Sequence, residues 1–305
     1  MDISKIPNII LLAITMAACL CAGILKNYFS KKISNTTRAC QLFNTVTSIA
    51  CAFFIFAYAG FRIEGSAYTV IIGAIFGVVT ALAAICGFIA ISIGPLSYTT
   101  VMTSCSTVIT AISGLFFGET IPALKWAGIA LMMVCLILSN KKEKSAEEKK
   151  ASLKWFIFSM LAAVFGAAIG LIQKIHQESE HSGELSLLLI IAFAFSTLLS
   201  LVWYLISLKK DPPIIKRTES GRLPAKITFL LAVIFITVGL GYALNNIINL
   251  YLVGVMDSAV FFPIVNGGHL ILTTLAGLIL FKEKLSNTQW IGLASGIAAT
   301  FCLCF

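Results

Sequence analysis

Hydrophobic positions in this chain fall in long unbroken blocks rather than in the two-residue alternation of strands or the narrow stripe of a surface helix. Ten blocks are visible, near residues 6–28, 39–60, 67–92, 97–117, 122–139, 153–175, 185–208, 226–252, 258–281 and 287–305. Each is close to the roughly 20 apolar residues that a helix needs to cross a hydrocarbon core about 30 Å thick. Two polar stretches interrupt the series. Residues 140–150 are dominated by Lys and Glu, and residues 209–226 contain Pro212, Pro213, Gly221 and Pro224, which predicts irregular chain.

Composition sharpens this into a class. The 305 residues are 59% hydrophobic and 11% charged, less than half the charge share of a soluble domain. The expected fold is an all-α integral membrane protein with ten transmembrane helices and the lipid bilayer as its main partner. The nine cysteines lie almost entirely in the apolar blocks, with no Cys-x-x-Cys pair, so they read as small hydrophobes in helix packing. Met16-Ala17-Ala18-Cys19 lacks the basic segment of a signal peptide ahead of it, and the first block is expected to remain as a helix.

The chain also repeats itself. Phe117, Glu119, Trp126, Gly128 and Ala130 return as Phe281, Glu283, Trp290, Gly292 and Ala294, all at one offset of 164 residues, and the same offset pairs Gly77 with Gly241 and Thr110 with Thr274. This predicts a first five-helix repeat over 1–139, a linker over 140–152 and a second repeat over 153–305. Five spans per half is an odd number, so the second repeat enters the membrane inverted relative to the first, as in many secondary transporters. Of the 22 Lys and Arg, 18 fall in or beside the loops that follow odd-numbered spans; Lys5, Arg62, Lys125 and Lys174 make up the remainder. Basic residues stay cytoplasmic, which places both termini outside and the 140–152 linker inside. The net charge of +9 is then a topology signal, and no basic domain suggests nucleic acid as a partner.

Polar residues inside the spans are the candidate site. Span four carries eight hydroxyl residues in fifteen, Ser104 and Thr107 among them; they either let helices pack closely or form the polar wall of a cavity. Span eight carries Tyr242, Asn245, Asn246 and Asn249, amides that are costly in hydrocarbon unless partnered. Span nine reads Pro263-Ile-Val-Asn266-Gly267-Gly268-His269, which predicts a kinked or broken helix with Asn266 and His269 on one face. Tyr242, Asn245, Asn249, Asn266, His269, Ser104 and Thr107 are the candidate substrate-binding residues. His269 is also the candidate proton-coupling group, because an imidazole changes charge near neutral pH. Lys26 and Lys174, near the ends of spans one and six, read as snorkelling to the interface or as binding a substrate anion. Glu119 and Glu283 read as structural, and Trp126 and Trp290 as interfacial anchors. No Gly-x-Ser-x-Gly, Walker A or His-Glu-x-x-His motif is present, so no catalytic residue, cofactor or metal is expected.

Ten spans in two halves, with Glu119, Trp126 and Gly128 in one and Glu283, Trp290 and Gly292 in the other, resemble the EamA-like branch of the drug/metabolite transporter superfamily. The resemblance implies a multi-pass cell-membrane permease or exporter of small polar or amphipathic metabolites such as amino acids. It places a central cavity among the first four helices of each half and the fifth helices at the periphery. No Asp or Glu sits in the middle of a span, which disfavours a permanent cation as substrate. A non-transporting membrane scaffold and a lipid-linked substrate flippase are the alternatives, and a homodimer is a further candidate assembly.

Overall fold

The apolar blocks form α1 (Asn8–Lys32), α2 (Thr37–Tyr58), α3 (Ala67–Ile93), α4 (Leu96–Ser113), α5 (Ala123–Ser139), α6 (Leu153–Gln177), α7 (Leu185–Ser207), α8 (Ala225–Val255), α9 (Ser258–Leu280) and α10 (Asn287–Cys304). The structure is a computed structural model that describes residues 6–33, 37–93, 96–139, 153–208, 225–280 and 286–304. Among these residues there is no strand. Among the described residues six helices, α1, α2, α3, α6, α7 and α8, are long and apolar enough to cross a membrane. Two shorter apolar helical stretches, Cys105–Phe117 and Ala123–Cys135, lie in α4 with its 3-10 extension and in α5. Large apolar side chains such as Ile9, Phe116, Leu153 and Phe229 stand more than 70% exposed; a lipid-facing surface accounts for them, whereas a water-facing one would not. Trp126 and Trp290 are also exposed.

The chain divides into two compact units, and each takes residues from both halves of the sequence. The first comprises 1–78 and 179–251, the second 79–178 and 252–305.

In the first unit α2 packs along α7. Gly73 and Gly77, one turn apart on α3, face the backbone carbonyls of Leu188 and Ala192 on α7, where a Cβ would come within 2.9 and 2.5 Å of those oxygens. This is the small-xxx-small device by which membrane helices approach each other, since lipid supplies no hydrophobic driving force between them. Gly239 of α8 meets Ala50 of α2 in the same manner. Beside that contact the rings of Phe29, Phe43 and Phe235 cluster with centroids 4.9 to 5.9 Å apart, and Ala22, Ala39, Ile234 and Val238 fill around them.

In the second unit α5 packs along α10, and α4 contacts both α6 and α9. A second glycine pair, Gly166 and Gly170 on α6, sits against Ser106 and Thr110 of α4. Three α4 hydroxyls return to their own helix: Thr103 donates to the Thr99 carbonyl, Thr110 to that of Ser106, and Ser113 to that of Thr110. That removes their hydrogen-bonding cost in hydrocarbon and leaves short side chains for close packing. The expected break at Pro263 does not occur. Helix α9 runs without interruption through Pro263, Gly267 and Gly268; as the sixth helical residue the proline forfeits the one bond its N–H would have made to the Ala259 carbonyl, and the helix continues past it.

Helix α4 ends in a 3-10 turn at Gly114–Phe117 and then at Gly118, whose φ of 76° is left-handed. The Gly118 N–H donates to the Leu115 carbonyl and the Glu119 N–H to the Gly114 carbonyl, the two bonds of a Schellman closure. That closure carries Glu119 back over the end of its own helix.

Candidate functional site

Two polar groupings inside the apolar helices, one in each unit, contain Asn245 and Asn249 and, separately, Asn266 and Thr107. In the first unit the Asn245 amide donates to Thr15 Oγ1 (2.8 Å), Thr15 Oγ1 donates to Asn249 Oδ1 (2.9 Å), and Asn249 Nδ2 donates to Asn245 Oδ1 (3.2 Å). The three side chains thus close a ring between α8 and α1. The spacing of Asn245 and Asn249, one helical turn, makes this possible. Gly241, a further turn back, lets α8 approach the Ala18 carbonyl of α1. Thr15 is fully buried, while both amides are half-buried. An amide nitrogen carries two donors, and Asn249 spends one of them on Asn245, so a donor remains for a ligand. Asn246 turns away and donates to the Tyr242 carbonyl of its own helix (2.8 Å). Tyr242 packs against the Phe29–Phe43 cluster. Thr15 had no signal in sequence beyond being a lone hydroxyl in an apolar block; its role depends on which helix faces α8.

In the second unit Asn266 of α9 donates to Thr107 Oγ1 of α4 (3.1 Å). Thr107 is 5% exposed and Asn266 is exposed. Thr107 also lines a narrow apolar crevice, too tight to hold water, with Val108, Ile129, Met132, Met133 and Pro263. His269, one turn beyond Asn266, is half-buried. The side chain of Ser104 lies outside the described residues, as do Glu283 and the 140–152 linker.

The ionic feature of the second unit is at the end of α4. Glu119 accepts from the Ser258 backbone N–H (2.7 Å) and hydroxyl (3.0 Å) at the start of α9, where the helix dipole and unpaired N–H groups favour an anion. Its other partner is Lys174 of α6, with Nζ 3.0 Å from Oε1. Lys174 also reaches Glu178 Oε1 (3.1 Å) and the Val253 carbonyl (3.2 Å). Side-chain exposure is 5% for Lys174 and 9% for Glu119. Lys174 therefore does not snorkel: two carboxylates and a carbonyl hold it inside the protein. A Cβ at Gly114 would strike the Glu119 carboxylate, so the glycine leaves room for the pair. Nearby, Lys125 and Asp257 form a more exposed pair at 2.8 Å.

The first unit has its own glutamate cap. Glu184, just before α7, accepts from the Ser66 N–H (3.0 Å) and hydroxyl (2.9 Å) ahead of α3. Hydrogen bonds from Thr69 and from the Ser66 backbone hold its carboxyl down to about 2. His181 lies 3.4 Å from its second oxygen and stacks on Tyr68.

No family model matches this sequence, and no curated protein is similar to it at a significant level. A solved crystal structure is similar in fold, with a TM-score of 0.69 at 10% sequence identity over 96% of this chain and 94% of that one. At such low identity the likeness shows the fold alone.

Proposed function

We propose that the chain is a secondary-active carrier of a small polar or amphipathic metabolite, working by alternating access. The observation that carries this reading is the Thr15–Asn245–Asn249 ring. Two half-buried amides beside a buried hydroxyl, within helices of membrane length, offer donors and acceptors to a polar solute without the cost of a buried charge. Interhelical hydrogen bonds of this kind are worth only about 0.6 kcal/mol on average, so a solute that offers equivalent bonds can replace them. A neutral, zwitterionic or anionic solute fits such a site better than a permanent cation.

The proposed frame is ten spans in two inverted repeats, in the cell membrane, with both termini outside. Pairings of equivalent helices within the compact units support it: α2 with α7 in the first, α4 with α9 and α5 with α10 in the second. The reciprocal glycine contacts, α3 on α7 and α8 on α2, support it as well. The resemblance to EamA-like transporters agrees with this frame. If uptake is proton-linked, His269 is the coupling group we propose, and pH-driven accumulation unchanged in His269→Gln would remove it from that role.

The test is counterflow in proteoliposomes with pooled amino acids, sugars, organic anions and cationic dyes, with and without a pH gradient. The reading expects exchange of at least one neutral, zwitterionic or anionic pool. Exchange confined to the cationic dyes would overturn the substrate class, and no exchange of any pool would favour a non-transporting partner.

A further inference from the structure

Two neighbouring charges buried near the ends of membrane helices are an unusual place to put a contact whose only purpose is stability, because desolvation offsets most of the attraction. The arrangement around Glu119 and Lys174 has a second property that a permanent clamp does not need. Each partner keeps a substitute on its own side. Glu119 retains the Ser258 N–H and hydroxyl, which belong to the α4–α9 corner. Lys174 retains Glu178, one turn further along the same helix and 49% exposed. Separating α6 from that corner therefore breaks the Glu119–Lys174 and Lys174–Val253 contacts without stranding either charge in the interior.

The surfaces around the pair are built for the same separation. Gly170 of α6 faces Thr110 and the Phe262 ring, Gly254 faces Gln177, and Gly114 faces the Glu119 carboxylate. Glycines let the helices touch but contribute no side chain that must be withdrawn when they part. The Glu119–Lys174 ion pair adds a charged contact between α6 and the α4–α9 corner at this end.

We infer that the Glu119–Lys174 pair is a reversible latch that holds α6 against the α4–α9 corner when this end of the second unit is shut, and that it breaks when that end opens. The inference rests on the carrier reading for its purpose, since alternating access requires each end to open in turn, but its test requires no substrate. Thr110, 3% exposed beneath the latch, is replaced by cysteine in a background without the nine native cysteines. The rate of labelling by a membrane-impermeant thiol reagent is then read in sealed vesicles of each orientation. Glu119→Gln keeps an acceptor for Ser258 and removes the charge that holds Lys174. Lys174→Gln removes the ammonium and serves as the second variant. Both are expected to speed labelling from one face by about tenfold, as a shift of population toward an open state does, while Lys125→Gln at the exposed pair leaves the rate unchanged. Labelling as slow as in the parent protein in either variant, when it elutes and melts as a folded protein, makes the pair a permanent staple and overturns the latch. Faster labelling in a protein that exchanges no solute retains the latch and removes the carrier reading instead.

Discussion

In each compact unit a glutamate from a neighbouring element accepts from the backbone N–H and hydroxyl of a serine at a helix start. Glu184 does so on Ser66 ahead of α3, and Glu119 on Ser258 at the head of α9. The first is partly exposed with a histidine nitrogen 3.4 Å away; the second is buried with a lysine that is only 5% exposed. The same hydrogen-bond motif is therefore a local cap in one place and the anchor of a charge network in the other. What separates them is the setting: Gly114 and the left-handed Gly118 let the α4 end fold back over its carboxylate, and α6 brings a cation to meet it.

Removing each glutamate should break the comparison most visibly. Glu119→Ala leaves Lys174 buried with the Val253 carbonyl and the half-exposed Glu178, and the loss of one member of such a pair costs about 3–5 kcal/mol. It should lower the thermal midpoint in detergent far more than Glu184→Ala. The double variant Glu119→Leu/Lys174→Met removes both charges and should recover much of that loss, because apolar side chains of similar volume replace a buried pair at little cost. Equal midpoints for the two single variants would place both glutamates in the same setting.

A pH titration sharpens the contrast. The Glu184 carboxyl is depressed from 4.5 to about 2 in the folded protein, so its contribution is complete above the ordinary carboxylate range and is lost as pH falls from about 4.5 toward 2. Melting midpoints measured across that window should fall in the parent protein, and Glu184→Gln should remove that part of the slope. An identical slope in the variant would assign the acid sensitivity elsewhere. The smallest effect is expected at Lys125 and Asp257, whose exposed ion pair is worth about 0.2–1 kcal/mol; Asp257→Asn should move the midpoint barely beyond error, and less at high salt.

The helices themselves were legible because blocks of apolar residues leave the chain few alternatives in lipid, and their ends fall within a few residues of those expected. Pairings were not. Thr15 is one hydroxyl among apolar residues until α8 is laid beside α1, and Lys174 resembles any lysine near a helix end until Glu119 folds back over α4. The glycine pairs Gly73/Gly77 and Gly166/Gly170 emerge as close-contact faces only once α7 and α4 are laid beside them. Proline at 263 pointed to a kink or a break, and α9 shows no break: one missing backbone donor need not end a helix.

The central claim is that a polar solute crosses by way of the amides of α8. Its most direct test is counterflow of the identified solute by the Asn245→Leu/Asn249→Leu variant, in protein that elutes and melts as a folded protein. The account predicts that exchange falls to the level of empty liposomes. Exchange at the parent rate would show that the ring between α1 and α8 is packing alone and that the transport path lies elsewhere.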